Sequence, residues 1–506
     1  MKESFNLINQ AWIPCVMPDG KTKSLGFLET LASAHEISDM GLDNPIQYVG
    51  LFRVLLAILH RNFGPEETKD WKRLWQSGAF NRKQLITYFK QWEKRFNLFD
   101  QTKPFYQTIE ITTEPRPIND LTFQLAIYQM ASGNATLFNH HTDFEEIIWQ
   151  PAEAAIQLVT AQSFGIGFRQ FKDGPSARGI NYILKGNNLF KTLVLNLIRY
   201  DDRNNDSFRE NGEDRPAWEQ ETPFQPERKK PIGYLDYLTW QSRKVLLISD
   251  DNNKTVSKAC MDVGQKLNIS SEPYCFNPMW IYRENPKPVE KSPPFFPRKF
   301  EEGRSLWRDS TTLINTKKAQ HKPLAAIEWI KQMQISDDEL NITAKGMASD
   351  QGKVNFYMEE LFVFPSVYIF KEYLTGDLET CMEQAGQVRD KLWGAVNHMA
   401  EVFLASESDQ QEGHKPDKKD VNDLWEHLFT EGIFWAALEL PFYELVMTLP
   451  INEESAMDDW QTVLKKTARQ ALEQAQVSLG NSPKALKAAA KSNTLLLGGL
   501  KKLFQS

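Results

Sequence analysis

Apolar positions in the first thirty residues come in short runs, Phe5 to Ile8 and Trp12 to Met17, and Asp19-Gly20 ahead of Lys23 to Phe27 has the composition of a tight hairpin turn. Strands are therefore expected at the start. The period then changes. Asn44-Pro45 is a helix-start pair, and Val49, Phe52, Leu55, Leu56 and Leu59 recur behind it at helical spacing. Trp71, Leu74 and Trp75 mark a second helix, and Leu85, Phe89 and Trp92 a third. Two stretches break the pattern and read as loops. Asp201 to Pro231 is crowded with Asn, Asp, Glu and Arg, and Glu284 to Arg304 holds five prolines among basic residues.

The final third is helical throughout. Cys381, Ala385, Val388, Leu392, Ala395, Met399 and Phe403 recur every three or four residues. A polar link, SESDQQEGHKPDKKD, precedes Val421, Leu424, Leu428 and an apolar helix expected to bend at Pro441. A third helix runs from about Ser455 through Trp460, Val463, Leu464 and Leu472 to a stop at Gly480. Asn481 and Ser482 then offer caps, and Pro483 a first-turn residue, for a fourth. Short links between helices favour an antiparallel bundle. The expected fold class is α+β: a large mixed α/β N-terminal domain over 1–370, followed by a C-terminal antiparallel four-helix bundle over 371–506. No internal repeat is visible.

Composition fits a soluble chain of two to four domains, with 506 residues, 41% of them hydrophobic and 25% charged. No apolar run approaches the roughly 20 residues that span a bilayer, and the start lacks the apolar stretch of a secretory signal. Cys15, Cys260, Cys275 and Cys381 lie far apart, so a reduced, cytoplasmic setting is expected. The formal net charge of -7 argues mildly against a nucleic-acid partner, but it is unevenly spread. Asp377 to Met457 holds 17 acidic against 5 basic side chains, whereas Asp458 to Ser506 holds 3 against 8. Local sign governs contact with phosphate more than the total does.

Enzyme-like chemistry is thin. The stretch NHHTDFEE offers His140, His141 and Asp143, with Glu145 and Glu146, as metal ligands for a nuclease or phosphohydrolase. Adjacent histidines diverge on a strand or a helix, however, and a polar surface loop is the plainer reading. Cys260 and Cys275 lack the further partners a zinc site needs. Neither a nucleophile elbow nor a phosphate-binding glycine loop with its lysine is present. No catalytic residue, metal or cofactor is therefore expected.

Three segments suit nucleic acid better. In SFGIGFRQFKDGPSARG, Gly165 and Gly167 would let backbone approach a ligand, and Arg169, Lys172 and Arg178 could meet phosphates. In AKGMASDQGKVNFY, Asp350, Gln351, Gly352 and Lys353 would form a turn able to project a glutamine into a groove. In the last helix Lys484, Lys487 and Lys491 share one face, to which Lys502 returns. Ordinary turns and a solvated helix face are the alternatives.

Taken in order, these pieces resemble the CasA family, the large subunit of the type I-E CRISPR surveillance complex Cascade. The similarity runs through FNLINQAWIPC, the block Lys103 to Thr108 (KPFYQT), SGNATLFN from Ser132 to Asn139, FKDGPSARG, Lys185-Gly186 with the following TLVLNLI, and SDQGK before the bundle. It covers nearly the whole chain. The resemblance implies a non-catalytic subunit that recognises the protospacer-adjacent motif (PAM) of duplex DNA from the minor groove and opens the duplex for R-loop formation. Its implied partners are other Cascade subunits, crRNA, double-stranded target DNA and a recruited helicase-nuclease, with no membrane.

Residue by residue, the resemblance puts the wedge on Gln351, with Asp350 and Gly352 shaping its turn, and the glycine loop on Phe164 to Arg169. There the family's denser glycine cluster is reduced to Gly165 and Gly167 about Ile166. The loop that packs near the RNA handle maps to Phe138 and Asn139. The family's minor-groove lysine has no clean counterpart, Lys266 being the nearest candidate, and the cysteine-rich metal knuckle of some members is missing.

Overall fold

The computed structural model describes residues 4–113, 148–165, 173–199, 213–222, 224–225, 227–268, 277–286, 293–314, 321–334, 339–350, 353–405, 416–428 and 431–504. The chain divides into two compact units: 1–300 with 316–335 and 340–363, and 301–315 with 336–339 and 364–506.

The first unit opens with β1 (Ile13–Val16) and β2 (Thr22–Leu25), joined through a turn in which Gly20 takes φ +81°. The short β3 (Asp39–Met40) pairs with β1 on its other edge. Phe5 to Ile8 makes no strand. Asn6 accepts the Ile8 N–H through its side chain, which turns the chain and leaves a single bridge to Asn97. Between the strands, α1 (Phe27–Ala32) places Phe27 at the centre of an aromatic cluster with Trp12, Phe89, Phe96 and Phe105.

Helix α2 (Pro45–Phe63) starts where Asn44 accepts the Ile46 N–H at 3.0 Å, and all its residues from Pro45 to His60 except Gln47 are buried. It packs against α5 (Pro151–Phe164) and α7 (Tyr234–Leu238). It also touches α4 (Arg82–Trp92), while α3 (Thr68–Ser77) packs on α6 (Leu189–Leu195). The hairpin of β5 (Arg243–Ser249) and β6 (Val256–Val263) is separate from a sheet ordered β11-β10-β4 and another ordered β8-β7-β9. Here β4 is Asn181–Lys185, β7 Tyr282–Glu284, β8 Phe295–Pro297, β9 His321–Lys322, β10 Glu339–Asp350 and β11 Lys353–Pro365. Helix α8 (Ala325–Met333) completes the unit.

Neither expected loop is simply a loop. Within Asp201 to Pro231, Trp218 is buried against Phe96, Phe105 and Tyr106, and Glu219 takes hydrogen bonds from Arg61 and Tyr88. One tryptophan in a polar stretch is enough to pin it to the core. Glu284 to Arg304 likewise yields β8, whose Pro297 stands at a strand end, where a missing N–H is tolerated.

The second unit contains α9 (Glu372–Leu404), α10 (Lys418–Leu428), α11 (Glu431–Thr448), α12 (Glu453–Leu479) and α13 (Pro483–Leu503). The α9 stripe read from the sequence is buried from Cys381 to Met399. Pro441 lies inside α11. Gly480 ends α12 with φ +90°, a conformation that favours glycine, and the Ser482 hydroxyl accepts the Ala485 N–H at 3.1 Å to start α13. Helix α9 packs on α13, α12 and α10, and α11 packs on α12. Trp307, from the segment before the helices, stacks on Phe442 at 4.7 Å and meets Trp435 edge-on. No helix among the described residues is long and apolar enough to cross a membrane.

Candidate nucleic-acid interface

Gly165 ends α5, and its N–H donates to the Ala161 carbonyl at 3.0 Å. It is buried. A Cβ there would lie 2.7 Å from the guanidinium carbon of Arg243, so the close approach this glycine permits is that of an arginine of the same chain. Ser176 N–H donates to Ser163 O at 2.9 Å, and Gly174 N–H to Gly165 O, so positions 165 and 174 are held together at the base of the glycine-bearing segment. Gly167, Arg169 and Lys172 lie outside the described residues. Arg178 is described, and its Nε pairs with Asp173 at 2.6 Å.

The same base reaches the hairpin. Asn181, fully buried in β4, donates to Ser176 O at 3.3 Å, Gly179 O at 3.4 Å and Lys345 O at 3.4 Å, and its Oδ1 accepts the Trp280 indole N–H at 3.0 Å. β4 and β10 run antiparallel with Asn181 opposite Lys345 and Lys185 opposite Asn341. A Cβ on Gly346 would stand 3.6 Å from Gly179 O. The root of the hairpin and the root of the glycine segment are thus adjacent. From Gly346 to Asp350 β10 runs on by about 13 Å. Gln351 and Gly352, between the two strands, lie outside the described residues. Asp350 closes β10 and Lys353 opens β11.

A charge cluster anchors the hairpin. Lys345, buried, pairs with Glu359 of β11 and lies 4.3 Å above the Tyr48 ring. Lys185 pairs with Asp39 and stands 3.0 Å from the Tyr48 hydroxyl, which donates to Asp39 at 2.7 Å. Burial holds the Lys185 ammonium below the usual lysine range, against the pull of Asp39, and the nearby Lys345 pushes the same way as burial.

Lys266 is exposed beyond β6, beside Gln265, whose N–H donates to Gln241 O at 2.9 Å. This is the end of the hairpin from which Arg243 covers Gly165. Phe138, Asn139, His140, His141 and Asp143 lie outside the described residues. Among the described residues no group of three or more His, Cys, Asp or Glu could hold a metal ion. Burial pushes the Cys15 thiol up to about 11 and the Cys381 thiol up to about 12, which leaves both inert as nucleophiles near neutral pH.

In the second unit Lys484, Lys487 and Lys491 are all exposed on α13. Lys484 Nζ lies 5.9 Å from the Phe403 ring centroid. Lys491 lines a groove with Lys502 of its own helix and Lys391 of α9. Arg243, Asn181 and Lys391 were not evident as site residues from sequence, because their significance depends on which strands and helices become neighbours.

Several blocks that carry the sequence resemblance prove to be scaffold. Trp12 donates its indole N–H to Leu7 O at 3.0 Å. Phe105 stacks on Phe96, and Gln107 bridges Leu98 O at 2.7 Å and the Leu247 N–H at 2.8 Å.

Comparison with known proteins places the chain. A curated CRISPR-associated protein CasA/Cse1 of Thermus thermophilus is 28% identical over 520 residues, covering 97% of this chain and 96% of the relative. A crystal structure of Thermus thermophilus CasA matches 99% of this chain and 100% of its own with a TM-score of 0.80 at 24% identity. A chain of a structure described as a CRISPR RNA-guided surveillance complex matches 98% of this chain and 99% of its own, with a TM-score of 0.77 at 19% identity. The family described as CRISPR-associated protein Cse1 matches residues 6–471, and the chain belongs to that family.

Proposed function

We propose that this chain is the non-catalytic large subunit of an RNA-guided CRISPR surveillance complex. In this reading it recognises the PAM as duplex DNA through the minor groove, helps open the duplex and supports recruitment of a helicase-nuclease. The assembly partners are other Cascade subunits and crRNA, in the cytoplasm. Within the expected 1–370 the first compact unit is the PAM-reading domain, and 371–506, in the second unit, is the antiparallel four-helix bundle.

One observation carries the reading: Asn181 ties the root of the β10–β11 hairpin to the root of the glycine segment. Gln351, flanked by Asp350, Gly352 and Lys353, is the wedge. Gly167, Arg169 and Lys172 form the second arm, rooted at the buried Gly165, Phe138 and Asn139 approach the RNA handle, and Lys484, Lys487 and Lys491 follow DNA backbone. The minor groove distinguishes mainly A·T from G·C, so several related PAMs should be accepted. Wedging a side chain between base steps costs on the order of a few kcal/mol, offset by contacts and by guide-RNA pairing.

The test is Gln351→Ala in the assembled complex. Assembly should be retained and R-loop formation on PAM-bearing duplex reduced. Unchanged R-loop formation would remove the wedge. No observation favours metal-dependent hydrolysis at His140, His141 and Asp143; metal analysis with a nuclease assay on His140→Ala tests it directly.

A further inference from the structure

The groove between α9 and α13 has a volume of about 790 Å³, and Lys391, Lys491 and Lys502 stand around it. Lys491 and Lys502 are eleven residues apart, which is about 20° around the helix and about 16 Å along it. One carboxylate, Asp390, also lines the groove, and it pairs with Arg389 at 2.9 Å.

The floor is unusual. Gly394 and Gly498 both line the groove, and a Cβ on either would meet nothing within 4 Å among the described residues. Glycine inside a helix costs about 1 kcal/mol relative to alanine, and no packing neighbour here requires it. Gly499 differs: a Cβ there would press on the Lys391 stem at 3.2 Å, so this glycine lets the lysine lie across α13. A bare helix backbone flanked by three ammonium groups over about three turns suits a chain of phosphates that lies close against it.

We infer that this groove seats a phosphodiester backbone, held by Lys391, Lys491 and Lys502 over the Gly394–Gly498 floor. It refines the α13 lysine strip by adding Lys391 of α9 and the glycine floor. It rests on the reading of the chain as a nucleic-acid-handling subunit, and is independent of the wedge.

The experiment measures binding of short single-stranded DNA, duplex DNA without a PAM, and single-stranded RNA by the full chain across a salt series. Lys391→Gln/Lys502→Gln should flatten the salt slope by about 1.4 for a single strand or about 1.8 for duplex, which near 0.1 M salt is roughly a 25- to 60-fold loss relative to a 1 M reference. Gly394→Met/Gly498→Met should weaken binding at unchanged charge and with a better helix former at each position. Lys466→Gln/Arg469→Gln, an equal charge loss on α12, should leave the preferred probe within about twofold, less than the effect of one phosphate contact. The arm most affected identifies the strand. Equal losses in the α12 control, full binding by either groove variant, or no binding of any probe by the parent chain would overturn the groove. Loss of binding here with normal opening by Gln351→Ala would remove the wedge and leave the groove standing.

Discussion

The guanidinium of Arg243 lies where a side chain on Gly165 would have to go, 2.7 Å from the position of its Cβ. Arg243 is itself buried, with Nη1 donating to Ser242 O at 2.9 Å, so it cannot swing into water to make room. Whatever the glycine segment does, the first demand on Gly165 comes from inside the fold.

Gly165→Ala should therefore destabilise the protein by about 1–3 kcal/mol through overpacking. Combining it with Arg243→Gln, which shortens the intruding group, should recover part of that loss. A thermal or denaturant double-mutant cycle reads the coupling. Strict additivity would mean that the two residues do not compete for one space.

His60 makes stability depend on acid. It is buried on α2, edge-on to Tyr234 at 5.1 Å, and neither ring nitrogen has a hydrogen-bond partner among the described residues. Burial pushes its pKa down from 6.5 to about 3, so the native state keeps it neutral while the unfolded chain protonates. Its contribution is fully present above pH 6.5 and is lost as the pH falls toward 3, by up to about 1.4 kcal/mol per pH unit. His60→Phe keeps an aromatic ring against Tyr234 and should flatten the stability profile between those limits. A profile that stays as steep in the variant would assign the acid sensitivity to other groups.

Trp460 should be the least replaceable residue of α12. It is buried, and its indole N–H donates to Cys381 O on α9 at 2.9 Å. Trp460→Phe removes the donor and some volume, at about 1–2 kcal/mol, whereas Trp460→Ala adds a cavity and should reach about 3–5 kcal/mol. Calorimetry of the full chain checks the order. Equal effects would mean that the site collapses around the missing ring.

Much of this fold was legible because its signals are local. Asn44-Pro45, Gly480 and Ser482-Pro483 declare helix ends through their own backbone chemistry, and the α9 stripe from Cys381 to Met399 follows from helical periodicity alone. What was not legible depends on distant partners. Trp218 sits in a stretch whose composition reads as loop, and only the distant Phe96 and Phe105 explain why it is buried. Phe5 to Ile8 has a strand's apolar content, but the Asn6 side chain closes a turn first. Asn181 joins β4 to residues 176, 179 and 345, a pairing set by sheet topology that no window of sequence contains.

The pair Lys345–Glu359 is asymmetric, and that fixes the order of two substitutions. Lys345 is 4% exposed between the Tyr48 ring and the neighbouring Lys185, whereas the Glu359 side chain is 48% exposed. Glu359→Gln leaves a buried ammonium beside another cation with its nearest counter-charge gone. Discounted for the solvation of the glutamate, it should cost about 1–3 kcal/mol. Lys345→Met keeps the aliphatic stem against Tyr48, leaves a carboxylate that water can reach, and relieves the repulsion felt by Lys185, so it should cost less than about 1 kcal/mol. Denaturant unfolding of the two variants gives the comparison. If Lys345→Met proves the more damaging, the cation is held mainly by the aromatic face of Tyr48, and Glu359 is a bystander to the anchoring of the hairpin.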